Sequence, residues 1–522
     1  MKTIYGSFSI LFVSLVSAPG AAYAQQPPDV VTSDSADNTA MGTGALLFSS
    51  PRNDVANTAA GSNALYSNAA GNANTAIGVN ALYSNNIGNE NTASGYQSLA
   101  DNTDGSNNTA YGSQSLALNT HGTENTATGY LALSSNTTGD GNTATGAESL
   151  GVNTTGNDNT AVGAAALYNN IAMDNTAVGS GALIWNTTGV SNTAVGYNAL
   201  VGAFGDDGSE AVGSYNTGIG SYALYSYSTG SDNTASGYGA LYSSTTGVSN
   251  TASGYEALYS NTSGSSNTAT GLNALLSNTT ANGNTATGVG ALKYNTTGSN
   301  NLADGYQAAR SLTTGDNNIA EGYQAGYFLS TGSNNIDIGN KGLAADGAVG
   351  NNGVIRIGTS GQQTTTFIAG IENAKVLGSA VYITAAGQLG VLPSSERYKT
   401  AISHISGNSQ RLQQLRPVSF HLKTDPSGAV QYGLVAEEVY KVYPELVIRD
   451  AVGKIQGVRY DELAPLLLDE VQRQWQKTNE QAIEIRDLKA REQMVGNMRK
   501  QLAQIQAALT KLQSKDEVVA RP

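Results

Sequence analysis

The sequence contains no cysteine. That excludes a disulfide framework and any thiolate metal site. Histidine is nearly absent too: His121, His404 and His421 are the only ones, and none sits in a recognisable nucleophile motif. A Ser-His-Asp triad is therefore poorly supported. Charged residues make up 12% of the 522-residue chain, about half the usual share for a soluble domain. Self-repulsion at that level cannot hold a chain open as a charged disordered polymer. Proline is scarce, at 10 residues, and glycine does not recur at every third position, which excludes a collagen-like rod. Beyond the N-terminus there is no apolar run long enough to span a membrane, and no tail of alternating apolar strands to build an outer-membrane barrel. Positive charge is missing over most of the length. Between Asn38 and Asn340 the basic residues are Arg52, Lys293 and Arg310 alone, in a chain of net charge −13. Nucleic acid as a partner has no electrostatic footprint there.

What the chain has instead is glycine, 62 residues, and 27 tyrosines against 7 phenylalanines and 2 tryptophans. Small residues (Ala, Gly, Ser, Thr, Asn) suit thin, tightly wound structures better than a thick core. The first residues read as a secretory signal. Lys2 supplies the positive end, Phe8 to Val16 the apolar run, and Ala22-Tyr23-Ala24 the small residues before a cut at Ala24–Gln25. The expectation is export, to the cell surface or the medium, with residues 1–24 removed and 25–37 as a linker.

Internal repetition dominates the rest. Asn-Thr-Ala, or a close variant, begins at 18 anchors from Asn38 to Asn335, mostly 17 residues apart, with intervals of 19 before Asn57, 16 before Asn175 and 24 before Asn216. The consensus is Asn-Thr-Ala-x-Gly-x-x-Ala-Leu-x-x-Asn-x-x-Gly-x-x, numbered here from Asn as position 1. Two glycines per unit argue against helix. Seventeen residues suffice for one coil of a β-solenoid with two short strands and two turns. Ala at position 3 and Leu at position 9 suit a narrow interior. Gly at position 5 predicts a bend with positive φ or no room for a Cβ. Stacked coils place like residues about 4.8 Å apart, so Asn at position 1 predicts an amide ladder. The tyrosines at positions 6 and 10 predict stacked columns. The Asn-x-Thr sequons follow from the repeat itself. The long interval, with Phe204-Gly205-Asp206-Asp207-Gly208, reads as an insertion loop. Over residues 38–358 these repeats resemble the heads of trimeric autotransporter adhesins, whose Asn-Ser-x-Ala-x-Gly units wind as β-rolls with three chains side by side. That resemblance implies a homotrimer. The calcium-binding Gly-Gly-x-Gly-x-Asp nonapeptide is absent, and neither a metal nor another cofactor is expected.

After Gly358 the composition changes. Residues 366–391 alternate apolar and small residues and predict β-hairpins closing the solenoid, in a connector of residues 359–393. A series of motifs follows: Ser394-Ser395-Glu396-Arg397-Tyr398-Lys399, Leu415-Arg416-Pro417-Val418-Ser419-Phe420, Gly433-Leu434-Val435-Ala436-Glu437-Glu438, Tyr443-Pro444-Glu445-Leu446-Val447, a turn at Asp450–Gly453, and Tyr460-Asp461-Glu462-Leu463. Over about residues 390–490 this succession resembles the endosialidase-type intramolecular chaperone domain, the self-cleaving C-terminal domain of phage tailspikes and tail fibres. The resemblance implies a small α+β domain, assigned to residues 394–462, that cuts the chain before a serine with a lysine as base. Its pattern Ser-[Asp/Ser]-x-Arg-x-Lys places that dyad on Ser394 and Lys399. Glu437 stands where the family carries glutamine. The chemistry is reasonable: a serine hydroxyl needs a base, a lysine serves if its charged form is disfavoured, and backbone N–H groups must hold the oxyanion.

The tail, residues 463–522, reads as helix. Leu488, Val495, Leu502 and Leu509 recur every seven residues, and Arg491, Met498, Ile505 and Leu512 fill the second seam position. This predicts a short coiled coil, interrupted in propensity by Gly496. The whole reads as a mainly-β protein: a long parallel solenoid, a self-processing domain and a coiled-coil helix, assembled as an exported trimeric fibre. A cell-surface glycan or protein is the expected ligand class. The alternative is a structural or adhesive protein that never cleaves and keeps its C-terminal domain as a trimerisation foot.

Overall fold

A computed structural model of the chain describes residues 32–34, 36–47, 55–202, 213–347, 352–363, 365–368, 381–384, 387–405, 407–423, 425–450 and 452–519. The expected signal segment, Arg52 and the expected insertion loop at Phe204–Gly208 lie outside them. The chain divides into two compact units, residues 1–365 and 366–522.

The first unit is a parallel β-solenoid. Nineteen strands of three residues, from Thr39–Met41 to Ile355–Ile357, pair in parallel, each with the next in sequence. A short antiparallel strand, Thr32–Ser33, covers the N-terminal edge. Register is held through the irregular intervals: Thr160 pairs with Thr176 across the 16-residue step, and Thr193 with Thr217 across the 24-residue one. In each strand position 3 faces inward and positions 2 and 4 outward, as the period of two requires. The inward alanines are buried from Ala59 to Ala320.

The amide ladder at position 1 is present. The Asn74 backbone N–H donates to Asn57 Oδ1 at 2.9 Å, and that of Asn91 to Asn74 Oδ1 at 3.0 Å. A second amide column, not foreseen, runs along position 12. Asn85 Nδ2 donates to Asn68 Oδ1 at 2.7 Å and to Gly88 O at 3.0 Å, and Asn102 repeats the pattern on Asn85. Beside the long interval the column is completed by Tyr227. Its buried hydroxyl donates to Asn186 Oδ1 at 2.9 Å.

The expected second strand per coil is absent among the described residues. Positions 6 to 11 form a continuous turn. In the coil starting at Asn74, Gly78, Asn80, Leu82 and Glu90 have φ of 131°, 57°, 50° and 56°. Alternation of left- and right-handed residues breaks strand geometry, yet neighbouring coils still bond: Leu82 N–H donates to Ser98 O at 3.0 Å and Ser84 N–H to Ala100 O at 2.9 Å. A left-handed leucine costs about 1–2 kcal/mol. The same conformation tucks Leu82 fully inside, and burial of such a side chain contributes about 1.5–3 kcal/mol. Gly at position 5 answers the sequence prediction: Gly129 has φ 138°, and a Cβ there would stand 2.5 Å from Gly146 O.

At the C-terminal end the alanine column gives way to charge. Asp337 occupies position 3 and Arg356 pairs with it on the next strand. Arg356 donates Nε and Nη2 to the two Asp346 carboxylate oxygens at 2.7 and 2.6 Å. Asp337 and Asp346 are both buried.

The second unit is small and mixed. A hairpin pairs Tyr382–Ile383 with Leu389–Gly390. It falls in this unit, and residues 369–380 of the expected connector lie outside the described residues. A second hairpin pairs Val418–Phe420 with Gln431–Gly433, and a third Val447–Arg449 with Ile455–Val458. Helix α1 spans Ala436–Val442 and helix α2 spans Tyr460–Val519. Val439, Tyr443, Leu446, Val447, Val458 and Leu463 form the core.

Candidate functional site

Ser394 and Lys399 flank a single 3-10 turn, Glu396–Tyr398. Ser395 enters it extended, and the turn closes through Tyr398 N–H to Ser395 O at 3.0 Å and Lys399 N–H to Glu396 O at 2.9 Å. That reversal brings residues five apart to one side: Lys399 Nζ lies 3.5 Å from Ser394 Oγ. This is the outer limit of a hydrogen bond. Both side chains are exposed, as is the whole stretch from Gly387 to Ser403. Leu389, Val391, Leu392, Tyr398 and Ile402 lie in it with their apolar surface uncovered. The Arg397 guanidinium stacks over the Tyr398 ring at 4.7 Å.

The other motifs hold the domain together. Gly433 has no room for a side chain, because a Cβ would stand 2.6 Å from the Tyr460 hydroxyl. That hydroxyl accepts from Leu434 N–H at 2.8 Å, tying the start of α2 to the strand before α1. Arg416 grips Glu438 with Nη2 at 2.6 Å and Nε at 3.2 Å. The bidentate pair lowers the Glu438 carboxyl below its ordinary range and raises the arginine. Arg411 stacks on Tyr443 at 4.6 Å and donates to Val442 O at 2.8 Å. Ser409 donates to Asp469 at 2.6 Å, fastening the 3-10 helix Asn408–Gln414 to α2. The Asp450–Gly453 turn forms as expected, with Asp450 Oδ1 accepting from Val452 and Lys454 N–H. Glu437 is exposed at the rim of an open apolar groove lined by Val418, Phe420, Val435, Ile455 and Tyr460.

Residues 394–448 match the family model described as the chaperone of endosialidase, a peptidase family. The C-terminal unit carries a chaperone-of-endosialidase domain. The match opens on Ser394 and ends within the third hairpin, before α2. No curated protein and no solved structure matches the chain. The family is one of self-cleaving peptidases in general. The chaperone domain's sequence motifs therefore lie in two groups: the Ser394–Lys399 turn, exposed and touching little, and Arg416, Gly433, Glu438 and Tyr460, which build the fold. Sequence reading missed the Arg416–Glu438 pair. Its signal was present in the two motifs, but nothing in either one pointed to the other. Among the described residues, no helix is long and apolar enough to cross a membrane, and no group of acidic or histidine side chains is placed to hold a metal ion.

Proposed function

We propose that the chain is exported as a fibre precursor. Its chaperone domain brings three copies together and then removes itself before Ser394. The observation that carries this reading is the position of Lys399 Nζ, 3.5 Å from the hydroxyl of the residue on which the family match opens. Lys399 takes the Ser394 hydroxyl proton as Oγ attacks the Pro393 carbonyl carbon. The Pro393–Ser394 amide C–N bond breaks, the Ser394 nitrogen takes a proton, and an ester to Oγ forms. Water hydrolyses that ester, leaving a carboxylate on Pro393 and restoring the hydroxyl. A lysine works as a base only where its charged form is disfavoured. The exposed apolar side chains around the turn give a covering surface something to pack on, and in an assembled trimer neighbouring copies supply that surface. Assembly before winding also has a kinetic logic. Neighbouring coils look alike, so a register slip by one repeat costs little unless the C-terminal ends are already clamped.

The test is Ser394→Ala and Lys399→Ala in the full chain. Both are expected to yield uncut, assembled protein, while wild type yields a fragment whose N-terminal sequence begins at Ser394. Cleavage persisting in either variant refutes the dyad. The exposure of both dyad residues favours one second reading, a chaperone domain that stays attached as a trimerisation foot. Wild-type chains that assemble and remain full length would establish it.

A further inference from the structure

The solenoid carries little positive charge, and two of its few cations are neighbours. Lys293 and Arg310 occupy position 10 on successive coils. The coils are in backbone contact there: Ser277 N–H donates to Lys293 O at 3.1 Å and Tyr294 N–H to Arg310 O at 3.3 Å. Two like charges stacked at about the 4.8 Å coil spacing repel. Among the described residues neither has a carboxylate partner. Both are held on aromatic rings instead. The Arg310 guanidinium lies 4.9 Å from the Tyr294 ring centre and donates to the Tyr294 and Tyr327 hydroxyls at 3.1 and 3.0 Å; Lys293 Nζ stands 5.7 Å from the Tyr294 ring centre. The pair is thus positioned yet not neutralised.

The adjoining columns lie on the same face. Tyr222, at position 7, touches both Tyr238 at position 6 and Tyr242 at position 10, so positions 6, 7 and 10 form one surface along the coils. Beside Arg310 that surface carries the stacked pair Tyr306–Tyr323, 5.4 Å apart, and the amide pair Gln324 Nε2 to Gln307 Oε1 at 3.1 Å. Farther along it, Tyr225, Tyr242 and Tyr259 stack in a row at 4.9 and 4.8 Å. The stacked tyrosines present ring edges and hydroxyls, primary amides offer donors and acceptors, and the two cations offer a site for an anion. That combination matches one ligand class: hydroxyls on an extended chain that also carries negative groups.

We propose that this face, centred on Lys293 and Arg310, binds an extended anionic saccharide, with its carboxylate or sulfate groups on the two cations and its sugar rings along the tyrosine and glutamine columns. The proposal depends on the solenoid alone and is independent of whether the chaperone domain cleaves.

The experiment is calorimetric titration of the full-length chain with four probes: a heparin oligosaccharide (sulfated), an oligogalacturonate (carboxylated), dextran (neutral) and duplex DNA of matched charge. Heparin or oligogalacturonate is expected to bind, more weakly as salt rises, and dextran is not. The stronger of the two charged probes identifies the anion. Lys293→Gln and Arg310→Gln should each weaken that binding by roughly tenfold or more, the scale of one charge-assisted hydrogen bond. Lys423→Gln, a control at an exposed base of the second unit, should leave it unchanged. Lys293 makes no side-chain hydrogen bond among the described residues, so its variant decides the matter if Arg310→Gln fails to fold. Four results would overturn the proposal: neither charged probe binds, dextran binds equally well, the Lys293 variant binds as wild type does, or duplex DNA of matched charge binds more tightly than both saccharides.

Discussion

Replacing Asp337 by asparagine should stabilise the protein at neutral pH. Asp337 stands at position 3 of its coil, where nearly every other coil has alanine, and it is only 2% exposed. Burial pushes its carboxyl up to about 6, the nearby Asp346 charge adds to that, and Arg356 partly opposes it. Arg356 is already committed to Asp346 through two short hydrogen bonds. In an unfolded chain the same carboxyl titrates near 3.9, so the fold disfavours its ionised form by about two pK units, or roughly 3 kcal/mol. The sign follows directly. An acid with a raised folded pKa binds more protons folded than unfolded. The penalty is fully present above about pH 6, shrinks as pH falls through 6, and is gone below the unfolded value. Asp337→Asn leaves the Arg356–Asp346 pair in place and removes the titration. Hydrogen exchange of the last coils, Asn318 to Ile338, measures the local opening energy in a repeat protein that need not unfold in one step. At pH 7 the variant's amides should be protected more strongly, by up to about 2–3 kcal/mol of opening energy. By pH 4 the advantage should have largely vanished. A variant that opens more easily at pH 7, or one whose difference from wild type is the same at both pH values, would refute the reasoning.

Other outcomes follow from the same structure. Gly129→Ala forces a Cβ against Gly146 O at a φ that L-residues avoid, and should cost about 2 kcal/mol or more, seen as a lower denaturation midpoint. Leu133→Ala empties a fully buried position 9, and a loss of about 2–5 kcal/mol is expected by the same measurement. Leu502→Asp with Leu509→Asp should abolish trimers in sedimentation, because these exposed heptad leucines would put charge into a desolvated seam at a cost of several kcal/mol, on the order of the penalty for burying an unpaired polar group. Unchanged sedimentation would show that the heptads serve only the single helix.

The solenoid was legible because its signal is repeated in nearly every coil: Ala at position 3, Gly at position 5 and Asn at position 1 each have one steric or hydrogen-bonding reason that recurs. Its second half was not. A left-handed leucine leaves no mark in a sequence, since only glycine announces positive φ, so a second strand was expected where a turn stands. The position-12 amide column was hidden for a related reason, as Asn-x-x-Gly reads as turn chemistry whether or not its side chains stack. Asp337 could have been found: Asn335-Ile336-Asp337 departs from Asn-Thr-Ala at position 3, which faces the interior of the coil. In the chaperone domain, Ser394 and Lys399 were locatable only through flanking motifs, because a serine and a lysine five apart have no periodicity to mark them. The bond from Leu434 N–H to Tyr460 was within reach, because a glycine beside a fixed aromatic is a packing signal, but the partner lies 26 residues away.

The most direct test of the central claim is the intact mass of the purified wild-type protein, taken after assembly has been confirmed by sedimentation. Self-removal before Ser394 predicts a body ending at Pro393 and a separate fragment of residues 394–522, both absent when Ser394 is alanine. A folded, assembled wild-type chain with a single mass extending through Pro522 would contradict it.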